Sequence, residues 1–253
     1  MKKLEDIPEY KVIHFIGIGG SGMAPIAKLL LQKGYNVTGS DLKETGNTIR
    51  LKDMGATIFL SQKPENLRTA DLVVISSAIA EDNEELMSAR QERIPIYRRA
   101  EMLNFLMSQF KKRVAILGTH GKTTTTAMMV RMFDGLEKKS SYVIGGEFID
   151  YGSNSGLGDG DYFISETDES DGSFEYVYPN SVVFTNLEEE HMDYYGSLEN
   201  MFEKFSIFIK RIFENKGTII FNKDDPNLVG LIEKCKPKES KKVNFRDDSN
   251  TDS

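Results

Sequence analysis

The sequence predicts an α/β protein with two mostly parallel sheets, one after the other along the chain. Three observations predict it. Short apolar runs of strand length alternate with stretches whose apolar residues recur at helical spacing. Two glycine-rich turns each follow such a run and open such a helix. The strand–turn–helix order then restarts after about 110 residues.

Taken in order, residues 11–16 are apolar and β-branched, as a strand requires, and residues 23–32 carry apolar side chains at helical spacing that stop at Gly34. Strands are expected over 35–39, 57–60 and 72–76, a helix over 83–93, a strand over 94–97 and an amphipathic helix over 98–110. The restart is a strand over 112–117, a glycine–lysine turn and a helix over 123–136. Strands over 142–144, 162–166, 181–185 and 218–222 follow, with a long helix over 198–213 before the last. The restart places a domain boundary after residue 108, giving units 1–108 and 109–253. Residues 236–253 are mostly charged and polar, and Val243 and Phe245 hint at one more strand.

A chain of 253 residues with 39% hydrophobic side chains can build two cores. No apolar run approaches the roughly 18 residues of a membrane span. The two early lysines are followed by acids and a proline, unlike a secretory leader. The single cysteine, Cys235, excludes an internal disulfide framework and fits a reducing compartment. It reads as a small, partly buried side chain. The net charge of −7 argues against nonspecific nucleic-acid binding. The expectation is a cytoplasmic protein with neither nucleic acid nor membrane as partner.

The first glycine turn, Gly17, Ile18, Gly19, Gly20, Ser21 and Gly22, fits G-x-G-x-x-G between a strand and a helix. Glycines let the backbone approach a pyrophosphate, and the helix start supplies N–H donors and partial positive charge. Asp41, at the end of the second strand, stands where a carboxylate accepts hydrogen bonds from a ribose. The motif does not choose the nucleotide, and NAD in an oxidoreductase stays open.

The second turn, Gly118, Thr119, His120, Gly121, Lys122, Thr123 and Thr124, keeps the working parts of a phosphate loop, although Ile116 replaces its usual first glycine. Backbone N–H groups cradle phosphates, Lys122 reaches the β- and γ-phosphates, and the Thr123 hydroxyl suits Mg²⁺. His120 either touches phosphate or shapes the turn. After the next strand, Glu166, Asp168, Glu169 and Asp171 crowd into six residues. Beside a phosphate loop such acids suit a hard cation, with Glu166 first and Asp168 and Asp171 after it. His191 closes the acid-rich segment that follows the strand over 181–185, where a neutral ring nitrogen suits a second cation. His14, inside the first strand, reads as structural.

These segments together resemble the Mur ligase family. Residues 12–41, running through HFIGIGGSGMAPIAKLLLQKGYNVTGSD, are similar to the opening of family members that take UDP-N-acetylmuramate. So are Ser76-Ser77-Ala78-Ile79 and Tyr97-Arg98-Arg99-Ala100-Glu101-Met102-Leu103. GTHGKTTTT at 118–126 resembles the ATP loop, ETDESDGSF at 166–174 the metal-binding strand end, and TNLEEEHMD at 185–193 the histidine segment; Asn222-Lys223-Asp224-Asp225-Pro226 resembles a further signature. Departures are Thr167 and Glu190, where a small residue and an aspartate are expected.

The resemblance implies a Rossmann-like domain over 1–108 that holds the UDP-sugar, and part of a central ATP-binding domain over 109–253. It implies that ATP phosphorylates the muramate carboxylate and that the amine of L-alanine displaces phosphate. By carry-over Lys122, Glu166 and His191 are catalytic, Lys122 on phosphates, Thr123 and Glu166 on one Mg²⁺ and His191 on a second. Family members add a third domain that binds the amino acid. The chain stops at Ser253, so it is expected to bind nucleotides without ligating L-alanine alone, a separately encoded C-terminal half being a possible partner. A peptide-recycling ligase of the same family, an NAD-dependent oxidoreductase and a non-catalytic UDP-sugar sensor are the alternatives.

Overall fold

The computed structural model describes residues 4–146 and 151–237, and the strand expected around Val243 and Phe245 lies outside them. The first sheet is built from β1 (Val12–Ile16), β2 (Asn36–Ser40), β3 (Thr57–Phe59), β4 (Leu72–Ile75) and β5 (Ile96–Arg98). Its order is β3-β2-β1-β4-β5 and every pair is parallel. β1 occupies the centre and is buried on both faces. Ile13 and Phe15 pack with α1 (Ala24–Gln32) and α4 (Arg99–Ser108), while Ile16 packs with Val73 and with Leu86 and Ala89 of α3 (Glu84–Gln91). From β1 the chain runs outward through β2 and β3, then returns across the sheet to β4. That reversal opens a crevice at the carboxyl ends of β1 and β4, where open parallel sheets take ligands.

The second sheet comprises β6 (Lys112–Leu117), β7 (Ser141–Val143), β8 (Ser155–Gly156), β9 (Tyr162–Glu166), β10 (Ser181–Phe184) and β11 (Thr218–Phe221), in the order β11-β10-β6-β9-β7-β8. All pairs are parallel except β7 with β8. α5 (Lys122–Gly135) seals one face through Val130 against Ile116 and Ile164. α7 (Leu198–Glu214) and α8 (Pro226–Cys235) seal the other, where Phe205 stacks on Phe174 at 4.5 Å between ring centres. Stacked aromatic pairs of this kind add roughly 0.5–1.5 kcal/mol beyond the area they bury.

The two sheets share apolar core. Phe163 of β9 lies 5.2 Å from Phe110, which follows α4, and joins Val143 and Val177 in the buried cluster that holds Ile13 and Leu106. The Asn104 side chain accepts the Tyr178 N–H at 2.9 Å across the same seam.

Two helices beyond those expected, α2 (Gly46–Asp53) and α8, complete the sheets' cover; α8 carries an apolar stripe of Leu228, Leu231, Ile232 and Cys235, and α2 does not. α2 is polar and buries only Thr48 and Leu51; its start is fixed by reciprocal capping between Thr45 and Thr48. α8 begins inside the Asp225-Pro226 signature. Asp225 accepts N–H bonds from Asn227 and Leu228 at 2.9 and 3.0 Å, and Pro226 occupies the first helical position, where its missing N–H costs nothing. Asn83, expected as the first residue of a helix, is the cap of α3. No helix among the described residues is long and apolar enough to cross a membrane.

Candidate nucleotide-binding cleft

The first glycine turn is anchored to the end of β2. The Ser40 carbonyl accepts N–H bonds from Gly17 and Ile18 at 2.8 and 3.0 Å. Gly17 has a φ of 77°, a left-handed backbone that a side chain would strain. The Gly19 N–H donates to Asp41 Oδ2 at 2.9 Å, and a Cβ at Gly19 would sit 2.8 Å from that oxygen. One Asp41 oxygen therefore shapes the turn, a role additional to the ribose contact expected of it. Asp41 also lines the cavity described below, with Gly20, Ser21 and Gly22.

The second turn is anchored to the end of β10. Gly118 has a φ of 137°, and a Cβ there would run into the Thr185 hydroxyl. The Thr185 hydroxyl donates to the His120 carbonyl at 2.6 Å, and Asn186 Oδ1 accepts the His120 N–H at 2.8 Å. Thr119 Oγ1 accepts the Glu188 N–H at 2.9 Å. Gly121, with φ 77°, turns the chain into α5, whose first N–H groups have no acceptor within the helix. Thr124 lies exposed in that first turn. The His120 ring is also exposed, 3.4 Å from Glu190 and 3.7 Å from Glu188. Its backbone, rather than its ring, ties the turn to β10.

Lys122 reaches back across this turn. Its ammonium donates to the Gly118 carbonyl at 2.7 Å, the Thr119 carbonyl at 3.1 Å and Glu169 Oε1 at 2.8 Å. Glu169 is only 3% exposed, and its other oxygen has no hydrogen-bond partner among the described residues. Burial pushes the Glu169 carboxyl up from its ordinary value, and the Lys122 ammonium opposes that push. His191 Nε2 stands 3.5 Å from the same Oε1 and 3.8 Å from Glu190. His191 caps α6 (Met192–Tyr195) with a φ of 58°, a left-handed value uncommon outside glycine, as at other sites where structure overrides local preference. Glu169 was not singled out from the acidic run, because a buried carboxylate and its solvated neighbours look alike in sequence.

Beside Lys122, the Thr123 hydroxyl donates to Glu166 Oε1 at 3.0 Å, and Glu166 Oε2 accepts the Gly145 N–H at 2.7 Å. These two hard oxygen donors suit Mg²⁺, which takes few protein ligands and completes its shell from phosphate and water. Among the described residues no three His, Cys, Asp or Glu side chains converge as a metal site. His191 is not brought to the Thr123–Glu166 pair; its neighbours are Glu169 and Glu190.

Asp168 and Asp171, expected as further cation ligands, face a guanidinium instead. Arg99 Nη2 lies 3.4 Å from Asp168, 3.5 Å from Asp171 and 3.1 Å from the Ser173 hydroxyl. The Ser77 hydroxyl donates to Asp171 at 2.8 Å. Burial raises the Asp171 carboxyl, but hydrogen bonds from Ser173 and Ser77 and the Arg99 charge outweigh it and hold it below the usual aspartate range. Arg99 also packs over the first glycine turn, since a Cβ on Gly22 would lie 2.8 Å from its Nη1. Its place at the start of a helix after Tyr97-Arg98 gave no sign of this reach. A cavity of about 680 Å³ joins the two turns, lined by Gly17, Gly19, Asp41 and Arg99 on one side and by Lys122, Glu166 and Asp168 on the other.

The Mur ligase family catalytic domain matches residues 12–111, and the Mur ligase middle domain matches residues 116–253. The chain is 47% identical over 221 residues to the UDP-N-acetylmuramate–L-alanine ligase of Acidithiobacillus ferrooxidans, aligning 87% of this chain with 47% of that protein. It is 46% identical over 220 residues to the enzyme of that name from Pelotomaculum thermopropionicum, with 87% and 47% covered. Among solved structures it superposes on the UDP-N-acetylmuramate–alanine ligase of Thermotoga maritima with a TM-score of 0.77 at 33% identity, covering 88% of this chain and 51% of that one. A murein peptide ligase of Psychrobacter arcticus gives 0.77 at 25% identity, with 88% and 51% covered. The chain spans about half the length of the curated relatives it matches.

The Asp171 contacts make the seam between the sheets pH-sensitive. A carboxyl whose folded value is depressed stabilises the fold above its unfolded value, about pH 4, and loses that contribution as pH falls through the folded one. Asp171→Asn is expected to cost about 1 kcal/mol at pH 7, and its urea midpoint should converge with that of the unsubstituted chain as pH falls through the depressed folded value. A gap that stays constant down to low pH would assign the contribution to packing instead.

Proposed function

This chain belongs to the Mur ligase family, and from that premise we propose that it carries the nucleotide sites of an ATP-dependent ligase. The reaction is the attachment of L-alanine to the carboxylate of UDP-N-acetylmuramate, in peptidoglycan precursor synthesis. Residues 1–108 are the Rossmann-like UDP-sugar domain in this reading, and residues 109–253 belong to the ATP-binding domain. The observation that carries it is the cavity lined by the first glycine turn on one side and by Lys122 and Glu166 on the other, with Thr123 hydrogen-bonded to that Glu166. A cavity shared by two phosphate-binding turns suits a reaction in which a phosphoryl group passes from one nucleotide to a group carried by the other. The identity to L-alanine ligases supports the choice of amine.

On the sugar side, the Ser21 and Gly22 N–H groups, which have no acceptor among the described residues, and the positive start of α1 would receive the diphosphate, with the Arg99 guanidinium beside Gly22 as an additional cation. On the ATP side, Gly118, Thr119, His120, Gly121 and Thr124 would offer backbone donors to the phosphates. Lys122 would leave Glu169 for the β- and γ-phosphates. One Mg²⁺ ion would be held by Thr123 and Glu166 and would neutralise phosphate charge. His191, beside the Glu169 and Glu190 carboxylates, is the proposed ligand of a second cation. In the reaction, a muramate carboxylate oxygen attacks the γ-phosphorus and the bond to ADP breaks, leaving an acyl phosphate. The L-alanine amine then attacks the acyl carbon, phosphate departs and the nitrogen gives up a proton. The residues named here act by holding and charge compensation, the main demands of phosphoryl transfer.

UDP-N-acetylmuramate, and not NAD, is expected to raise the melting temperature. Ligand at about 100 times its dissociation constant adds roughly 2.7 kcal/mol. A shift with NAD and none with the UDP-sugar would point to an oxidoreductase-type site instead. Lys122→Ala, Thr123→Ala and Glu166→Ala should each weaken Mg²⁺-dependent ATP binding in calorimetry, by about tenfold or more for Lys122, and leave UDP-sugar affinity unchanged. Unaltered ATP affinity in all three would make the second turn a structural one.

A further inference from the structure

Behind the first glycine turn lies a buried polar cluster with no part in the chemistry described so far. His14 of β1 and Glu85 in the first turn of α3 are both fully buried. His14 Nε2 lies 3.4 Å from Glu85 Oε1, and His14 Nδ1 is 2.8 Å from the Thr38 hydroxyl on β2. Glu85 Oε1 accepts from the Asn66 side chain at 2.7 Å, and Glu85 Oε2 takes a short hydrogen bond from the hydroxyl of Ser40, itself fully buried.

Such a cluster is a poor device for stability. Removing ionisable groups from water costs several kcal/mol each, and apolar side chains of similar volume would hold α3 to the sheet as well or better. Its placement suggests what it does instead. Ser40 is the residue whose carbonyl takes the Gly17 and Ile18 N–H bonds, and the next residue, Asp41, takes that of Gly19. The first three N–H groups of the turn are thus anchored on two adjacent residues, and one of those is fastened from behind by Glu85.

We propose that Glu85, held by Asn66 and packed beside His14, is a positioning residue for the nucleotide turn, fixing Ser40 and, through the Ser40 carbonyl that takes the Gly17 and Ile18 N–H bonds, the backbone path on which the turn presents its remaining donors. The inference rests on the reading of this turn as the UDP-sugar site. It assigns a role to His14 and Glu85, which touch neither nucleotide.

The test is calorimetry on the full chain with UDP-N-acetylmuramate and, separately, with ATP, for Glu85→Gln and Ser40→Ala. Glu85→Gln keeps the shape and replaces one carboxyl oxygen with an amide nitrogen. Ser40→Ala removes one hydroxyl, leaves Glu85 its Asn66 and His14 neighbours, and carries the test if the first variant does not fold. The expected result is a UDP-sugar dissociation constant raised about tenfold with that of ATP changed less than about twofold. In the ligand-free variants the Gly17, Ile18 and Gly19 amide resonances should move, a change that a purely structural role would not confine to this turn. Unchanged UDP-sugar affinity in a folded variant, or equal weakening for both nucleotides, would overturn the proposal. If the unsubstituted chain binds NAD and no UDP-sugar, the ligase reading fails. The same variants titrated with NAD then decide the positioning role by the same criterion.

Discussion

Arg99 leaves the first turn of α4, crosses Gly22 of the first glycine turn and reaches Asp168, Asp171 and Ser173 on the loop after β9. Each sheet alone would present an open crevice at the carboxyl ends of its strands. The guanidinium sets one crevice against the other, helped by Ser77 on Asp171 and by the apolar seam through Phe110 and Phe163. Arg99, Asp168 and Asp171 line the same cavity as the first glycine turn and Lys122. Two carboxylates face one cation there, and the Ser77 hydroxyl supplies Asp171 with a further donor. An apolar seam alone would not fix the approach of two loops so closely.

Within the second turn, electrostatics is arranged before any phosphate arrives. Lys122 satisfies its three donors on two backbone carbonyls and on Glu169. An ammonium so placed is desolvated and held near the start of α5, where the helix already favours anions. Glu169 is buried at some cost, visible in its raised carboxyl, and that cost is offset chiefly by Lys122. A phosphate that takes over the ammonium therefore leaves a buried carboxylate to be compensated by something else, and the second cation proposed for His191, whose Nε2 lies 3.5 Å from Glu169, would stand beside it. Lys122, Glu169 and His191 form one coupled group rather than three independent residues.

Much of this was legible in the sequence. Both sheets, their parallel sense and the turns at their carboxyl ends follow from alternating apolar runs and from glycine placement, because a parallel strand must hand its chain to a crossover at that end. The family resemblance paired Thr123 with Glu166, and the structure places their side chains in a hydrogen bond of 3.0 Å. The acids after Glu166 could not be sorted. Glu169 is buried, while Asp168 and Asp171 turn to Arg99, and only the packing of the other sheet decides which does which. Arg99 itself lies 69 residues from Asp168, so no local pattern links them. α2 escaped notice because it is held by capping and one buried leucine rather than by an apolar stripe. Glu85 was not singled out, because in sequence it is one of two acids at the start of a helix and nothing local marks it as buried.

The central claim is that both turns bind phosphate groups within one cavity and that Lys122 exchanges Glu169 for phosphate when they do. A crystal structure of the chain with UDP-N-acetylmuramate, Mg²⁺ and a non-hydrolysable ATP analogue tests it most directly. The account predicts the sugar diphosphate on residues 17–22, the triphosphate on residues 118–124 with Lys122 off Glu169, the metal on Thr123 and Glu166, and the muramate carboxylate in the cavity between them. A triphosphate bound elsewhere, or bound with the Lys122–Glu169 pair intact, would contradict it.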